Sequence, residues 1–181
     1  MRKKMRLFLV SLLIFMVINV QLDCALGGET SLNMPKKERS LIFSTWEGFE
    51  VDKCASIWLI KRFINLNAVI KFFPKGEVIK EGIPFDTPDA QLKRYHNMST
   101  FECMLTHYRL KDPKLIYIGK IIHDIEVNIW ERKVLKETPD VQNTIIKIIM
   151  ESKSNDEIIK RSCEYFDLFY KKLNSQLKTP S

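Results

Sequence analysis

Residues 40–76 read SLIFSTWEGFEVDKCASIWLIKRFINLNAVIKFFPKG. Two short apolar runs rich in β-branched and aromatic residues flank one apolar stretch of helical spacing. Ile57, Ile60 and Ile64 recur three or four apart, and Leu59 and Phe63 widen the stripe. Strand (40–46), helix (52–64) and strand (68–76, closed by Pro74 and Gly76) in under 40 residues leave little choice of topology. They predict a small parallel βαβ unit, because a helical crossover returns the chain parallel to its first strand. Asp52 stands where an N-cap would, with its carboxylate at the positive end of the helix dipole.

Beyond residue 76 the pattern turns helical. A loop with a short strand at IPFD (83–86) precedes STFE (99–102), which opens a helix reaching about residue 110. Ser99 and Glu102 have capping-box spacing. Asp112 and Pro113 open a third helix, as cap and first helical residue. TPD (138–140) opens a fourth and SNDE (154–157) a fifth, running to about 176. The last two carry apolar stripes suited to packing. The expected fold is α+β and predominantly helical: a two- or three-stranded sheet with a βαβ start and about five helices, in a single domain over residues 40–177.

The first 27 residues have a different character. Arg2, Lys3, Lys4 and Arg6 precede a largely apolar run at 7–20, and Ala25 and Gly27 supply small residues at −3 and −1. This is the pattern of a signal peptide, and a run of 14 residues, interrupted by Ser11 and Asn19, falls short of a bilayer span. A polar tether is expected at 28–39. The expected localisation is export, to a bacterial periplasm; an uncleaved membrane anchor is the alternative. The leader also bears on charge. The chain has 29 basic and 22 acidic residues, net +7; without Arg2, Lys3, Lys4, Arg6 and Asp23, 25 stand against 21. That balance, with no basic run of five after the leader, argues against nucleic acid as a partner. Once the leader with its Cys24 is set aside, Cys54, Cys103 and Cys163 are odd in number and form no CxxC, so no disulfide framework is expected.

Walker, GxGxxG, HExxH and GxSxG motifs are absent. What remains is the histidines and the charges near them. His96 lies in the loop KRYHNMSTFE; His123 and Glu126 share a helix face three residues apart, and Asp124 is turned about 100° from His123. Two imidazoles with carboxylates from separate segments suit a divalent metal such as zinc or iron. His96, Glu102, His123 and Glu126 are the expected ligands. The plain structural readings stand beside this: Glu102 as a cap, His123 as a core-boundary residue, His96 and His107 as surface. On the first helix, Trp58 and Arg62 are i, i+4 neighbours. They read either as a surface stack or, with Lys53, as the wall of a pocket for an oxyanion, to which a guanidinium offers two donors at once.

The same residues resemble a known family. Asp52, Lys53, Ala55, Ser56, Trp58, Leu59, Ile60, Arg62, Phe63 and Ile64 are similar to the signature of the C-terminal domain of chromate-resistance ChrB proteins. IPFD (83–86), His96, TFE (100–102), YRLKDPKL (108–115) and IIHDIE (121–126) match its later blocks. The resemblance spans residues 40–172. It implies a link to chromate resistance and an exported, stand-alone form of the domain; a small anion such as chromate is the expected partner. The family often has Cys where Ser56 and Ser99 stand and Asp where Glu126 stands, so no thiol role is carried over. Longer ChrB proteins have an N-terminal region linked to regulation; a leader stands in its place here, so a regulatory role is not transferred either. Three functions remain open: a metal- or oxyanion-binding protein, a metal-dependent hydrolase with Asp52 or Asp124 as base, and a non-catalytic interaction domain.

Overall fold

Strand β1 (Ile42–Trp46) forms the middle of the sheet. It pairs in parallel with β2 (Val69–Phe73) on one side and β3 (Ile83–Pro84) on the other, giving the order β2-β1-β3. The computed structural model describes residues 41–128 and 133–176, with side chains to residue 173. The leader and tether expected at 1–27 and 28–39 lie outside the described residues, as do the outermost residues of the expected domain.

Helix α1 (Val51–Leu59) makes the crossover from β1 to β2 and is buried at all nine positions. The cause is its central place: among the described residues it packs against four other helices, α2 (Thr100–His107), α3 (Pro113–Glu126), α4 (Thr138–Glu151) and α5 (Asn155–Gln176). An ordinary amphipathic helix would show one polar face. Here Asp52 and Lys53 are interior as well, so each needs a partner inside the protein. The helix ends in a wide π turn (Ile60–Ile64), with the Asn65 amide donating to the Ile60 carbonyl at 2.9 Å.

Trp58 is the centre of the core. Its indole stacks on Phe101 and Phe166, meets Phe63 edge-on and lies tilted against Tyr170. The indole N–H donates to Asp167 on α5 at 2.8 Å, and Arg62 holds the same carboxylate through Nε and Nη2 at 3.0 Å each. The stack expected between Trp58 and Arg62 is thus a shared clamp on Asp167: a buried indole N–H requires an acceptor, and the carboxylate of α5 supplies one.

The edge of the sheet is drawn in by Gly82. Its φ is +81°, and a Cβ there would lie 2.7 Å from Ile42 Cγ2 and 2.8 Å from the Ile42 carbonyl. Only glycine permits both the angle and the approach. Alongside, Ser44 Oγ donates to the Glu81 carbonyl at 2.6 Å, fixing the loop that feeds β3.

Candidate functional site

All three strands run the same way, so their C-terminal ends open on one edge. The chain leaves β1 towards β2, while β3 lies on the other side of β1. In parallel sheets the crevice outside such a reversal is where ligands bind. This edge carries a cleft of about 280 Å³ lined by residues 46–50, Lys53, Lys75 and Asp86. A recess of about 250 Å³ shares Glu50 and Asp86 and adds Thr87, Lys93 and Arg94.

The charged groups here are held differently from one another. Lys53 Nζ donates to the Trp46 and Gly48 carbonyls at 2.9 and 2.8 Å and lies 3.5 Å from Asp86 Oδ2. Its ammonium is thus held by two carbonyls of the β1–α1 turn and paired with Asp86 beyond β3. Asp86 has φ +53°, rare for a residue with a side chain, and accepts from Thr100 Oγ1 at 2.8 Å. Asp52 is fully buried and accepts the Thr100 and Phe101 amides at 2.7 and 2.9 Å. Burial, opposed by those two amides, pushes the Asp52 carboxyl up to about 6. Burial, with Asp52 and Glu50 nearby, brings Asp86 to about 6 as well.

Arg94 bridges the cluster. Nη2 lies 2.9 Å from Glu50 Oε1 and 2.9 Å from Glu126 Oε2. Nε is 3.8 Å from Asp52 Oδ2, too far to bond, and is buried with no hydrogen-bond partner. Buried N–H groups are ordinarily paired, so this atom is the cluster's open position. Glu126 is raised by burial, with Arg94 opposing.

The family model described as ChrB, C-terminal domain, matches residues 43–173. The chain belongs to this family. No curated protein and no solved structure matches. Membership makes this a chromate-resistance-type protein.

Much of the ChrB signature is occupied in holding the fold. Asp52 does not cap its own helix: α1 starts one residue earlier, with Glu50 at the cap position, and the Asp52 side chain crosses to the N-terminus of α2. Ser99 and Glu102 form the expected capping box there. Between them, Asp52, Ser99 and Glu102 satisfy the first four amides, those of residues 99–102. Asp124, the other base candidate, accepts from the Val134 and Leu135 amides, Thr138 Oγ1 and Asn128 Nδ2. These hydrogen bonds outweigh burial and lower its pKa. Trp58 and Arg62 do not line the cleft; Lys53 does.

Of the four expected metal ligands, the structure joins two: His123 Nδ1 lies 2.9 Å from Glu102 Oε2. Glu126 is directed to Arg94, and His96 is exposed in the turn closed by the Tyr95–Met98 bridge. Among the described residues no group of three or more His, Cys, Asp or Glu side chains is placed to hold a metal. The cleft residues missed at the sequence level are Glu50, Asp86 and Arg94. Asp86 was visible as the last residue of IPFD and Arg94 as the neighbour of His96, but neither carries a spacing signal.

Proposed function

We propose that this chromate-resistance-type chain binds a small tetrahedral oxyanion, of the chromate class, in the cleft beyond β1 and β3, with Arg94 as the recognising group. The observation that supports this most is the buried, unpartnered Nε of Arg94, beside an Nη2 that two carboxylates hold. A planar guanidinium pairs well with two oxygens of one anion. Glu50, at the rim, acts as the internal competitor: its carboxylate leaves Arg94 when the anion enters. Four carboxyl groups (Glu50, Asp52, Asp86, Glu126) surround Arg94 and Lys53, so uptake strengthens as Asp52 and Asp86 gain protons near pH 6. The leader at 1–27 supports an exported form of this binding protein.

Calorimetry tests the reading. Arg94→Ala is expected to weaken chromate binding at pH 7.5 by about tenfold or more, and Glu50→Gln to strengthen it. Sulfate, which stays a dianion throughout, is expected to bind more tightly at pH 5.5 than at pH 7.5. Equal affinities in wild type and Arg94→Ala would refute the assignment.

A further inference from the structure

The cleft and the recess at the sheet edge adjoin, and Arg94 lines only the recess. Glu50 and Asp86 line both, so they form the partition between the two spaces. Asp86 is the fixed half of it, held by the Thr100 hydroxyl at 2.8 Å and facing Lys53 at 3.5 Å. Glu50 is the movable half: it is exposed, and its carboxylate pairs with Arg94 Nη2 at 2.9 Å. An anion that displaces Glu50 from Arg94 therefore also opens the way from the recess into the cleft.

The lining of the cleft is aromatic where that of the recess is not. Trp46 ends β1, and its indole N–H donates to the Glu77 carbonyl at 2.7 Å, which fixes the ring. Phe49 comes from the β1–α1 turn and packs on Phe72, with ring centroids 5.3 Å apart. Both line the cleft and are half-buried, so each is anchored on one side and open on another. Gly48 stands between them in the chain without a side chain, and no atom lies within 4 Å of where its Cβ would be. The space beside the two rings is therefore unfilled. A cleft of about 280 Å³ suits a single ring rather than a drug-sized ligand. Lys75 in the lining is exposed, makes no hydrogen bond or ion pair among the described residues, and adds positive charge for an anionic ligand.

We propose that this edge takes a monoester of a tetrahedral oxyanion with a planar aromatic group. The inference rests on the Arg94 reading and extends it. The oxyanion pairs with Arg94 in the recess, and the ring passes Glu50 to lie against Trp46 and Phe49 in the cleft. A monoester suits this division: two free oxygens meet the guanidinium, and a third carries the ring. A bare anion such as chromate occupies the recess alone and leaves the aromatic lining without a partner.

The test is calorimetric titration of the full chain with phenyl phosphate, cyclohexyl phosphate and methyl phosphate. All three present the same phosphoryl group; only the first has a planar ring. Phenyl phosphate is expected to bind at least about tenfold more tightly than methyl phosphate, and more tightly than cyclohexyl phosphate. In NMR it is expected to shift the Trp46 indole N–H resonance, which methyl phosphate leaves in place. Trp46→Leu and Phe49→Leu, which keep apolar bulk, are each expected to lower phenyl phosphate affinity severalfold and leave methyl phosphate affinity unchanged. Arg94→Ala is expected to weaken all three. Phenyl phosphate binding no tighter than methyl phosphate, or unchanged in both leucine variants, would overturn the ring subsite while leaving the anion site standing. Three esters that do not bind, or that bind Arg94→Ala as well as wild type, would overturn both.

Discussion

Asp86 and Asp52 show how a residue's neighbours decide its chemistry. Both are interior acids raised from 3.8 to about 6, chiefly by burial. An acid whose folded pKa lies above its unfolded one favours folding in its protonated form. That contribution is complete below the unfolded value and is lost as pH rises through about 6. The step corresponds to about 3 kcal/mol at most for one such group. Asp112, Asp124 and Asp167 have lowered values and act in the opposite sense, at pH below 3.8. Urea unfolding from about pH 4 to pH 7 is therefore expected to show wild-type stability falling as pH rises. In Asp86→Asn, which cannot ionise, the fall is expected to be shallower; an identical slope in the variant would contradict the assignment. Asp52 is also where local reading of the sequence fails. A carboxylate near a helix start reads as that helix's cap, yet its partners, Thr100 and Phe101, are 48 and 49 residues away.

The elements themselves were largely legible. The βαβ start, the Ser99–Glu102 capping box and the Asp112–Pro113 start of α3 follow from local chemistry, and local chemistry decides them. The clamp between α1 and α5 was not legible, because Asp167 lies 105 residues beyond Arg62. It gives a structural role to two residues, Trp58 and Arg62, whose spacing left open a surface stack or the wall of an anion pocket. Asp167→Ala removes the acceptor of a buried indole N–H and is expected to lower unfolding free energy by about 1–2 kcal/mol. Arg62→Ala removes only a partly exposed ion pair and is expected to cost less than about 1 kcal/mol. Chromate affinity is expected to survive Arg62→Ala. A loss as large as that from Arg94→Ala would return Arg62 to the site.

At the scale of the whole molecule, the sheet edge brings together what the sequence keeps apart. Glu50, Asp86, Arg94 and Glu126 come from the β1–α1 turn, the end of β3, the following loop and the end of α3. No periodicity links them, so the family signature was readable while the site beside it was not. The signature residues Asp52, Lys53, Trp58 and Arg62 build the frame; Arg94 stands in a loop whose sequence has no pattern beyond its His. The location of a bound anion decides between frame and site. In a crystal soaked with chromate, the chromium anomalous difference map is expected to show its strongest peak against the Arg94 guanidinium, with Glu50 turned away. A strongest peak at Arg62, or none at the sheet edge in a crystal whose protein binds chromate in solution, would contradict it.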